Sequence, residues 1–298
     1  MTGITLLDGS IGQELVRRSG DRATPLWSTQ VMIDRPELVR VVHDAYFAAG
    51  SSIATTNTYA TLRDRLVRVG LEDQVGRLAS IAVTAACGAR DAHGRGLVAG
   101  SIGPLVQSYR PDLCPPAAEA ARLYAELVAA LAPHVDLLLL ETMSSVDQAR
   151  GAMMAARVTA LPVWLAVSVQ DTEGTRLRSG EPLSELAPLL EAMPPEVILI
   201  NCATPEAITQ GISTLRNFGL PFGAYANGFT RISEGFLGPA PTVDALERRH
   251  DLSPAAYAAA AMQWIGEGAT IVGGCCEVGP DHIAELARRI RQAGYDIV

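Results

Sequence analysis

Three of the five cysteines follow apolar runs that have the character of buried strands. Cys275 and Cys276 end the stretch ATIVGGCC, and Cys202 ends the stretch VILINC. Neighbouring cysteines are unlikely partners for each other, because a vicinal disulfide strains the backbone. The pair could fill the core, act as a redox device, or supply two ligands to one metal ion.

Eight short apolar runs of this kind occur along the chain, and stretches with helical spacing separate them. The runs are ITLLD (4–8), SIATTN (52–57), LVAGSIG (97–103), VDLLLLET (135–142), VWLAVS (163–168), VILINC (197–202), PFGAYAN (221–227) and TIVGGCC (270–276). Alternating strands and amphipathic helices are typical of parallel βα units. Eight such units in 298 residues favour one α/β domain, residues 1–298, folded as a (β/α)8 TIM barrel. An open dinucleotide-binding sheet would need a G-x-G-x-x-G turn, and DGSIGQE after the first run has a different spacing.

In such a barrel the active site lies at the carboxyl ends of the strands, around one mouth. The residues at these predicted ends are Asp8, Thr56, Asn57, Ser101, Glu141, Ser168, Asn201, Cys202, Asn227, Cys275 and Cys276. We therefore expect the cysteines of the sixth and eighth strands to meet in space. Gly273 and Gly274 should leave the backbone free to turn, so that both sulfurs of the adjacent pair converge.

Three converging thiolates suit a tetrahedral zinc ion that keeps one position open. Such a site is a weak Lewis acid towards water, but an incoming thiol would lose its proton there and stay nucleophilic. This chemistry favours alkyl transfer to a thiol over hydrolysis. A single strand-end cysteine is more often core, and the redox alternative lacks a C-x-x-C spacing. The joint occurrence of three strand-end cysteines favours zinc ligation by Cys202, Cys275 and Cys276.

Composition argues against several other classes of protein. The formal net charge is −8, which disfavours a nucleic-acid surface. No apolar stretch reaches the roughly 18 residues of a membrane span, and no signal-peptide pattern opens the chain. An odd number of cysteines disfavours a disulfide framework. We therefore expect a cytoplasmic protein whose partners are small molecules, with neither nucleic acid nor a membrane among them; the oligomeric state stays open.

Several segments resemble, in order, the homocysteine S-methyltransferase family. They are LLDGSIGQEL, HDAYFAAGSSIATTNTYA, SIGP, LLLLETMSS, INCATPEAI and VGGCC followed by GPDHI, and they extend from about Leu6 to Ile290. The resemblance implies a (β/α)8 barrel and a zinc ion held by Cys202, Cys275 and Cys276. It also implies that homocysteine is the fourth ligand and is methylated to methionine.

The resemblance also assigns roles to residues around the mouth. Asp8 and Glu141 match the positions that hold the substrate ammonium, which carboxylates bind through charge-assisted hydrogen bonds. Gly9 would permit close backbone approach. Considered without the resemblance, Asp8 could cap the helix that follows it, and Glu141 could belong to a buried ion pair.

Five further residues are candidates for the substrate pocket. Thr56, Asn57 and Asn201 are weaker candidates for the wall of the acceptor site. Trp27 and Tyr59 match positions that line the methyl-donor pocket in the betaine-using branch, where aromatic faces suit a sulfonium or quaternary ammonium donor. Ordinary packing is the alternative for both aromatic residues.

Three loops depart from the family pattern. Glu277 and Val278 follow the cysteine pair where the family has Arg or Gly and then Thr, SIGPLVQSYRPDLCPP is short, and YANGF replaces the commoner YPN form. We expect neither the C-terminal extension of the betaine enzymes nor a cobalamin or folate module. We therefore expect a compact enzyme that uses S-methylmethionine or another small sulfonium. Two alternatives stay open: selenocysteine or another small thiol as acceptor, and a non-catalytic barrel that binds zinc or an amino acid.

Overall fold

The chain forms a parallel β-sheet that curls into a barrel with helices around it. The computed structural model describes residues 3–20, 24, 26–238 and 242–298. The strands are β1 (Gly3–Leu6), β2 (Ile53–Thr55), β3 (Leu97–Ile102), β4 (Leu137–Met143), β5 (Val163–Val167), β6 (Val197–Asn201), β7 (Phe222–Ala226), β8 (Ile271–Gly274) and β9 (Asp296–Ile297). Their order is β2-β3-β4-β5-β6-β7-β8-β1-β9, and the pairings are parallel.

Helices follow the strands along the chain. The α-helices are α1 (Ile11–Ser19), α2 (Ser28–Asp34), α3 (Pro36–Ala49), α4 (Arg63–Leu66), α5 (Val75–His93), α6 (Ala117–Leu131), α7 (Val146–Ala156), α8 (Ala187–Ala192), α9 (Pro205–Asn217), α10 (Glu234–Leu237), α11 (Pro254–Gly266) and α12 (Pro280–Gln292), with 3₁₀ turns at Val67–Val69, Glu72–Gln74, Pro111–Leu113, Leu183–Leu186 and Val243–Ala245. Ser10, Ser145, Thr204 and Ser253 start α1, α7, α9 and α11, because each side chain accepts a hydrogen bond from a first-turn amide. None of the described helices combines the length and apolar character needed to cross a bilayer.

The two ends of the eight-stranded barrel, β1 and β2, meet through a few specific hydrogen bonds. The N–H of Ser52, just before β2, donates to the carbonyl of Leu6 at 2.7 Å, and the Ser52 hydroxyl accepts from the Leu6 N–H at 3.1 Å. Beyond them, the Asp8 carboxylate accepts from the N–H and the hydroxyl of Thr55 at 2.6 and 2.8 Å. These contacts close the barrel, so the predicted (β/α)8 fold is confirmed.

The interior of the barrel is filled by side chains from all eight of its strands. They are Leu7, Ile53, Ala99, Leu137, Leu139, Trp164, Ala166, Val197, Leu199, Tyr225 and Ile271. Burying each large apolar side chain contributes about 1.5–3 kcal/mol. Because this layer is packed, ligands have access only to the mouth above it. The ninth strand, which the sequence did not predict, lies outside this layer and pairs with β1 at Gly3 and Ile4.

Candidate active site

A cavity of about 330 Å³ lies at the carboxyl ends of the strands. Ten of the residues that the sequence predicts for the site belong to its wall: Asp8, Gly9, Trp27, Thr56, Asn57, Tyr59, Glu141, Cys202, Cys275 and Cys276. Asn201 is placed differently, fully buried behind this wall. Its side-chain amide bonds to the N–H and the hydroxyl of Thr142, both at 2.9 Å. Asn201 therefore holds Thr142 in its left-handed conformation, φ 63°.

The sulfur atoms of Cys202, Cys275 and Cys276 lie within 4.8 Å of one another. The Cys202 Sγ is 2.7 Å from the Cys275 Sγ and 3.7 Å from the Cys276 Sγ. The other two cysteines lie outside this group: the Cys87 thiol donates to the carbonyl of His134, and Cys114 packs against the core. The strand-end prediction therefore brought Cys202 together with a cysteine pair that lies more than seventy residues further along the chain.

The glycines before the cysteine pair act differently from the prediction. Gly273 and Gly274 do not adopt the left-handed backbone conformation for which glycine is needed. Instead, a Cβ at Gly273 would lie 2.4 Å from the Leu7 Cβ, and a Cβ at Gly274 would lie 2.2 Å from a methyl group of Val278. The glycines therefore allow β8 and its loop to pack closely against β1. The left-handed turn occurs at Cys202 itself, with φ 53°.

Mutual hydrogen bonds change the acidity of the three thiols. Hydrogen bonds from the Cys275 and Cys276 thiols lower the pKa of Cys202, and donation to Cys202 raises the pKa of Cys275. Three thiolates this close would repel one another, so full deprotonation needs a compensating cation. Three sulfur donors around one point suit a soft or borderline metal ion. The cluster therefore fits the predicted role of a metal site.

Two buried carboxyl groups share the cavity with the thiols. Asp8 is 3% exposed and Glu141 is 8% exposed. Asp8 does not cap α1, because the Ser10 side chain occupies that role. Glu141 accepts hydrogen bonds from the hydroxyls of Ser101 and Tyr225, the latter at 2.9 Å. These partners are neutral, so the described contacts do not place Glu141 in an ion pair.

Burial controls the protonation of both carboxyl groups. Desolvation raises the pKa of Asp8 to about 8, and the hydrogen bonds from Thr55 oppose this shift. Desolvation likewise raises the pKa of Glu141 to about 7. A cation that enters the cavity would favour the charged forms and lower both values. The two groups are therefore suited to bind a ligand ammonium.

Aromatic and cationic side chains line the outer part of the cavity. Trp27 and Tyr59 meet edge to face with ring centroids 6.4 Å apart. Gly12 leaves room for this arrangement, because a Cβ there would lie 2.4 Å from the Trp27 ring. Arg65 lies over the Tyr59 ring at 5.4 Å, and Arg68 is a further wall residue. The sequence analysis did not single out either arginine.

Two tyrosines of the site were also missed from the sequence. Tyr225 lies on β7, inside the barrel, and its hydroxyl contacts Glu141; its place near the end of a predicted strand was a signal that could have found it. Tyr109 lies in the loop after β3, and its hydroxyl donates to the Cys202 Sγ at 3.0 Å. Tyr109 has a left-handed backbone conformation, with φ 63°, and nothing in this loop sequence predicts that conformation.

The charge of Glu277, beside the cysteine pair, has partners of its own. Its carboxylate lies 3.1 Å from the Arg248 guanidinium and accepts a hydrogen bond from the Gln13 side chain. Its N–H donates to the Gln13 Oε1 at 2.7 Å. These contacts compensate the negative charge that Glu277 places beside the cysteine pair.

Comparisons with known proteins show the family to which this chain is similar. The homocysteine S-methyltransferase family profile matches residues 5–290. The chain is 32% identical to the homocysteine S-methyltransferase of Escherichia coli (strain K12), over 96% of this chain and 95% of that protein. It is 27% identical to the homocysteine S-methyltransferase YbgG of Bacillus subtilis (strain 168), over 95% and 93%.

Solved structures show the same relationship. The crystal structure of the homocysteine methyltransferase MmuM from Escherichia coli, described as its metallated form, matches with a TM-score of 0.79 at 29% identity. The match covers 96% of both chains. The fold and the sequence relatives thus agree along nearly the whole length. This chain belongs to the homocysteine S-methyltransferase family.

Proposed function

We propose that the protein transfers a methyl group from a small onium donor to the sulfur of homocysteine, giving methionine, with zinc held by Cys202, Cys275 and Cys276. One observation carries this proposal. Three sulfur ligands and two buried carboxyl groups, Asp8 and Glu141, line the same cavity at the mouth of the barrel. Together they offer a metal centre for a thiol and acceptors for an ammonium, the two polar ends of a thiol amino acid.

The cysteine geometry supports zinc as the metal. Two sulfurs bound to one tetrahedral zinc at about 2.3 Å lie about 3.8 Å apart. The Cys202 and Cys276 sulfurs are 3.7 Å apart. The Cys275 sulfur lies 2.7 Å from Cys202, so this side chain must withdraw by about 1 Å. When bound, zinc supplies a fourth position at which the substrate thiol loses its proton.

The protein's own residues would orient the acceptor. Asp8 and Glu141 accept hydrogen bonds only from neutral described groups, so a bound ammonium would provide the missing positive charge. Gly9 keeps Asp8 close to the cysteine loop, because a Cβ at Gly9 would lie 2.1 Å from the Val278 carbonyl. The homocysteine sulfur then attacks the donor methyl carbon. A carbon–sulfur bond forms while the bond from that methyl group to the donor breaks, and the neutral donor residue leaves.

The outer part of the cavity supports a donor that carries both a positive centre and a carboxylate. Trp27 and Tyr59 provide aromatic surface for an onium cation. Arg65 and Arg68 are wall residues without a described carboxylate partner, and their hydrogen bonds go to the carbonyls of Pro104 and Val106 and to a serine hydroxyl. A guanidinium is well matched to a carboxylate. S-Methylmethionine has both groups and is our preferred donor.

Methyl-donor and metal assays test the proposal directly. Purified protein, prepared without chelators, should contain about one zinc per chain, as expected for a single three-cysteine site. With homocysteine it should form methionine from S-methylmethionine faster than from betaine, and Cys276→Ser should abolish this. Substoichiometric zinc with no gain on adding the metal would contradict the metal assignment. Faster methylation of another small thiol in a thiol panel would contradict homocysteine as the acceptor.

A further inference from the structure

A buried ion pair lies next to Cys202, behind the cavity. The guanidinium of Arg178 and the carboxylate of Asp171 pair at two contacts of 2.8 Å each, and both side chains are 9% exposed. Neither residue belongs to the cavity wall. A pair this deeply buried adds little net stability, because desolvation of both ions offsets their attraction. Its position beside a proposed metal ligand suggests a different role.

The Arg178 side chain holds the backbone of Cys202. Its Nη2 donates to the Cys202 carbonyl at 3.1 Å, and its Nε donates to the Ser168 hydroxyl at 3.1 Å. The same hydroxyl donates to the Cys202 carbonyl at 3.3 Å. Cys202 has a φ of 53°, a left-handed conformation that residues with a Cβ rarely adopt. Two donors on its carbonyl therefore stabilise the turn that aims this thiol at the other two.

Arg178 also reaches the sulfur of Cys202 through Tyr109. The guanidinium carbon lies 4.8 Å from the centre of the Tyr109 ring, a cation–π distance. The Tyr109 hydroxyl donates to the Cys202 Sγ at 3.0 Å. One guanidinium thus contacts the carbonyl of Cys202 directly and the sulfur of Cys202 through one aromatic ring.

Asp171 extends the same network to another loop. Its Oδ2 accepts from the N–H of Ile232, in the loop after β7, at 2.9 Å. The carbonyl of Asp171 accepts from the hydroxyl of Thr204, two residues beyond Cys202, at 3.3 Å. The ion pair therefore joins the end of β6 to loops that follow β3, β5 and β7.

We propose that Arg178, held by Asp171, is a positioning residue for Cys202: it fixes the left-handed turn and the Tyr109 hydrogen bond that together set how tightly the three sulfurs hold the metal. The inference rests on the proposed zinc site. It adds to that site an ion pair that lies outside the cavity wall. A lysine cannot replace Arg178, because a single ammonium cannot form the paired contacts with Asp171 and also cover the Tyr109 ring.

The test compares Arg178→Lys with wild type in the full-length protein. We expect the zinc dissociation constant, measured by competition with a chromogenic chelator, to rise about 10- to 100-fold, as for other partners of metal ligands. In the cobalt-substituted protein, the thiolate-to-metal absorption band should shift, because the position of one sulfur changes. Tyr109→Phe should weaken zinc binding less, and its effect should shrink in the Arg178→Lys background, since both changes act on Cys202.

Arg90→Lys is the matched control. Arg90 pairs with Asp136 at 3.2 Å, just before β4 and thus at the opposite end of the barrel. The Arg90→Lys substitution should lower the unfolding temperature without affecting zinc affinity. If Arg178→Lys leaves zinc affinity and the cobalt band as in wild type, or changes them only as Arg90→Lys does, the positioning role is wrong. Failure of the wild-type protein to bind zinc would instead contradict the proposed function.

Discussion

The floor and the rim of the active-site cavity are built in different ways. The floor consists of Asp8, Glu141 and the three cysteines, which lie at or just after strand ends. The two carboxyl groups bond to residues of other strands, and the three sulfurs lie close to one another. The rim consists of Trp27, Tyr59, Arg65, Arg68 and Phe236, which lie in loops and short helices. The rigid sheet therefore positions the groups that could do chemistry, whereas the loops set the shape of the space that the proposed donor would enter.

Contacts within the rim are made largely to backbone atoms. Gln107, after β3, donates to the carbonyls of Phe236 and Gly238, both at 3.1 Å. Arg110 donates to the carbonyl of Leu237 at 2.7 Å. Backbone acceptors do not depend on side-chain identity, so these loops can change in sequence and still meet. One of the segments that depart from the family pattern, the loop after β3, supplies both Gln107 and Arg110 to these contacts.

The largest effect should come from the floor. Cys202→Ser should lower kcat/KM by more than about 100-fold, beyond the range typical of residues that only support a ligand. It should also remove bound zinc, as measured by metal analysis. Cys114→Ser is the matched control, since Cys114 lies outside the cluster, and it should keep both metal and activity. Full activity of Cys202→Ser without bound metal would show that catalysis does not depend on a metal ion held by the three sulfurs.

The second prediction concerns the acceptor end of the floor and its pH dependence. Because the pKa of Asp8 is about 8 and that of Glu141 about 7, both groups take up protons as the pH falls through this range. Protonated carboxyls are weak partners for an ammonium, so KM for homocysteine should rise as the pH falls from about 8.5 to 6.5, spanning these pKa values. Asp8→Asn should raise KM at high pH by about 10-fold or more, the equivalent of a lost charge-assisted hydrogen bond.

Steady-state kinetics at several pH values separate the Asp8 effect from titration of the substrate thiol. The thiol affects wild type and Asp8→Asn alike, so the difference between their profiles reports Asp8. A profile of Asp8→Asn parallel to that of wild type would mean that this carboxyl does not hold the ammonium.

A moderate effect should appear at the rim. Trp27→Leu should raise KM for the onium donor about 2- to 30-fold, the range expected for loss of one cation–π contact. KM for homocysteine should stay the same, because Asp8 and Glu141 are untouched. Trp27→Phe keeps an aromatic ring, so its KM for the donor should lie between those of wild type and Trp27→Leu. Equal changes in KM for the donor and in KM for homocysteine would show that the floor and the rim do not bind separate substrates.

The smallest effect is expected for Glu277→Gln. Its carboxylate is already paired with Arg248, so removal of the charge should alter kcat/KM by less than about fivefold, the range of an exposed ion pair. Arg248→Gln serves as the reciprocal variant. A large gain of activity in Glu277→Gln would mean that this charge represses the metal site, and would revive the non-catalytic alternative for the natural chain.

Sequence reasoning predicted the floor much better than the rim. Buried strands have clear apolar patterns, and a parallel barrel brings their carboxyl ends together, so Cys202 and the pair at 275–276 could be placed in one site before any coordinates. The structural role of Asn201 was not predictable in the same way, because a strand-end amide can face the cavity or a neighbouring loop. No feature of the sequence indicated a role for Arg178. It lies in a loop, and its contacts with Ser168, Cys202 and Tyr109 depend on the positions of β5, β6 and the loop after β3.

The position of β8 between β7 and β1 has a consequence for how the protein is made. Two of the three sulfurs leave the ribosome only after the first seven barrel strands, so until β8 appears a nascent chain contains only Cys202 of the three cysteines in the cluster. The insertion that completes the sheet is also the step that creates a chelating site. We expect a chain ended at Ala269 to bind zinc as weakly as an isolated cysteine, which chelator competition would check. Tight zinc binding would therefore report that the barrel is complete.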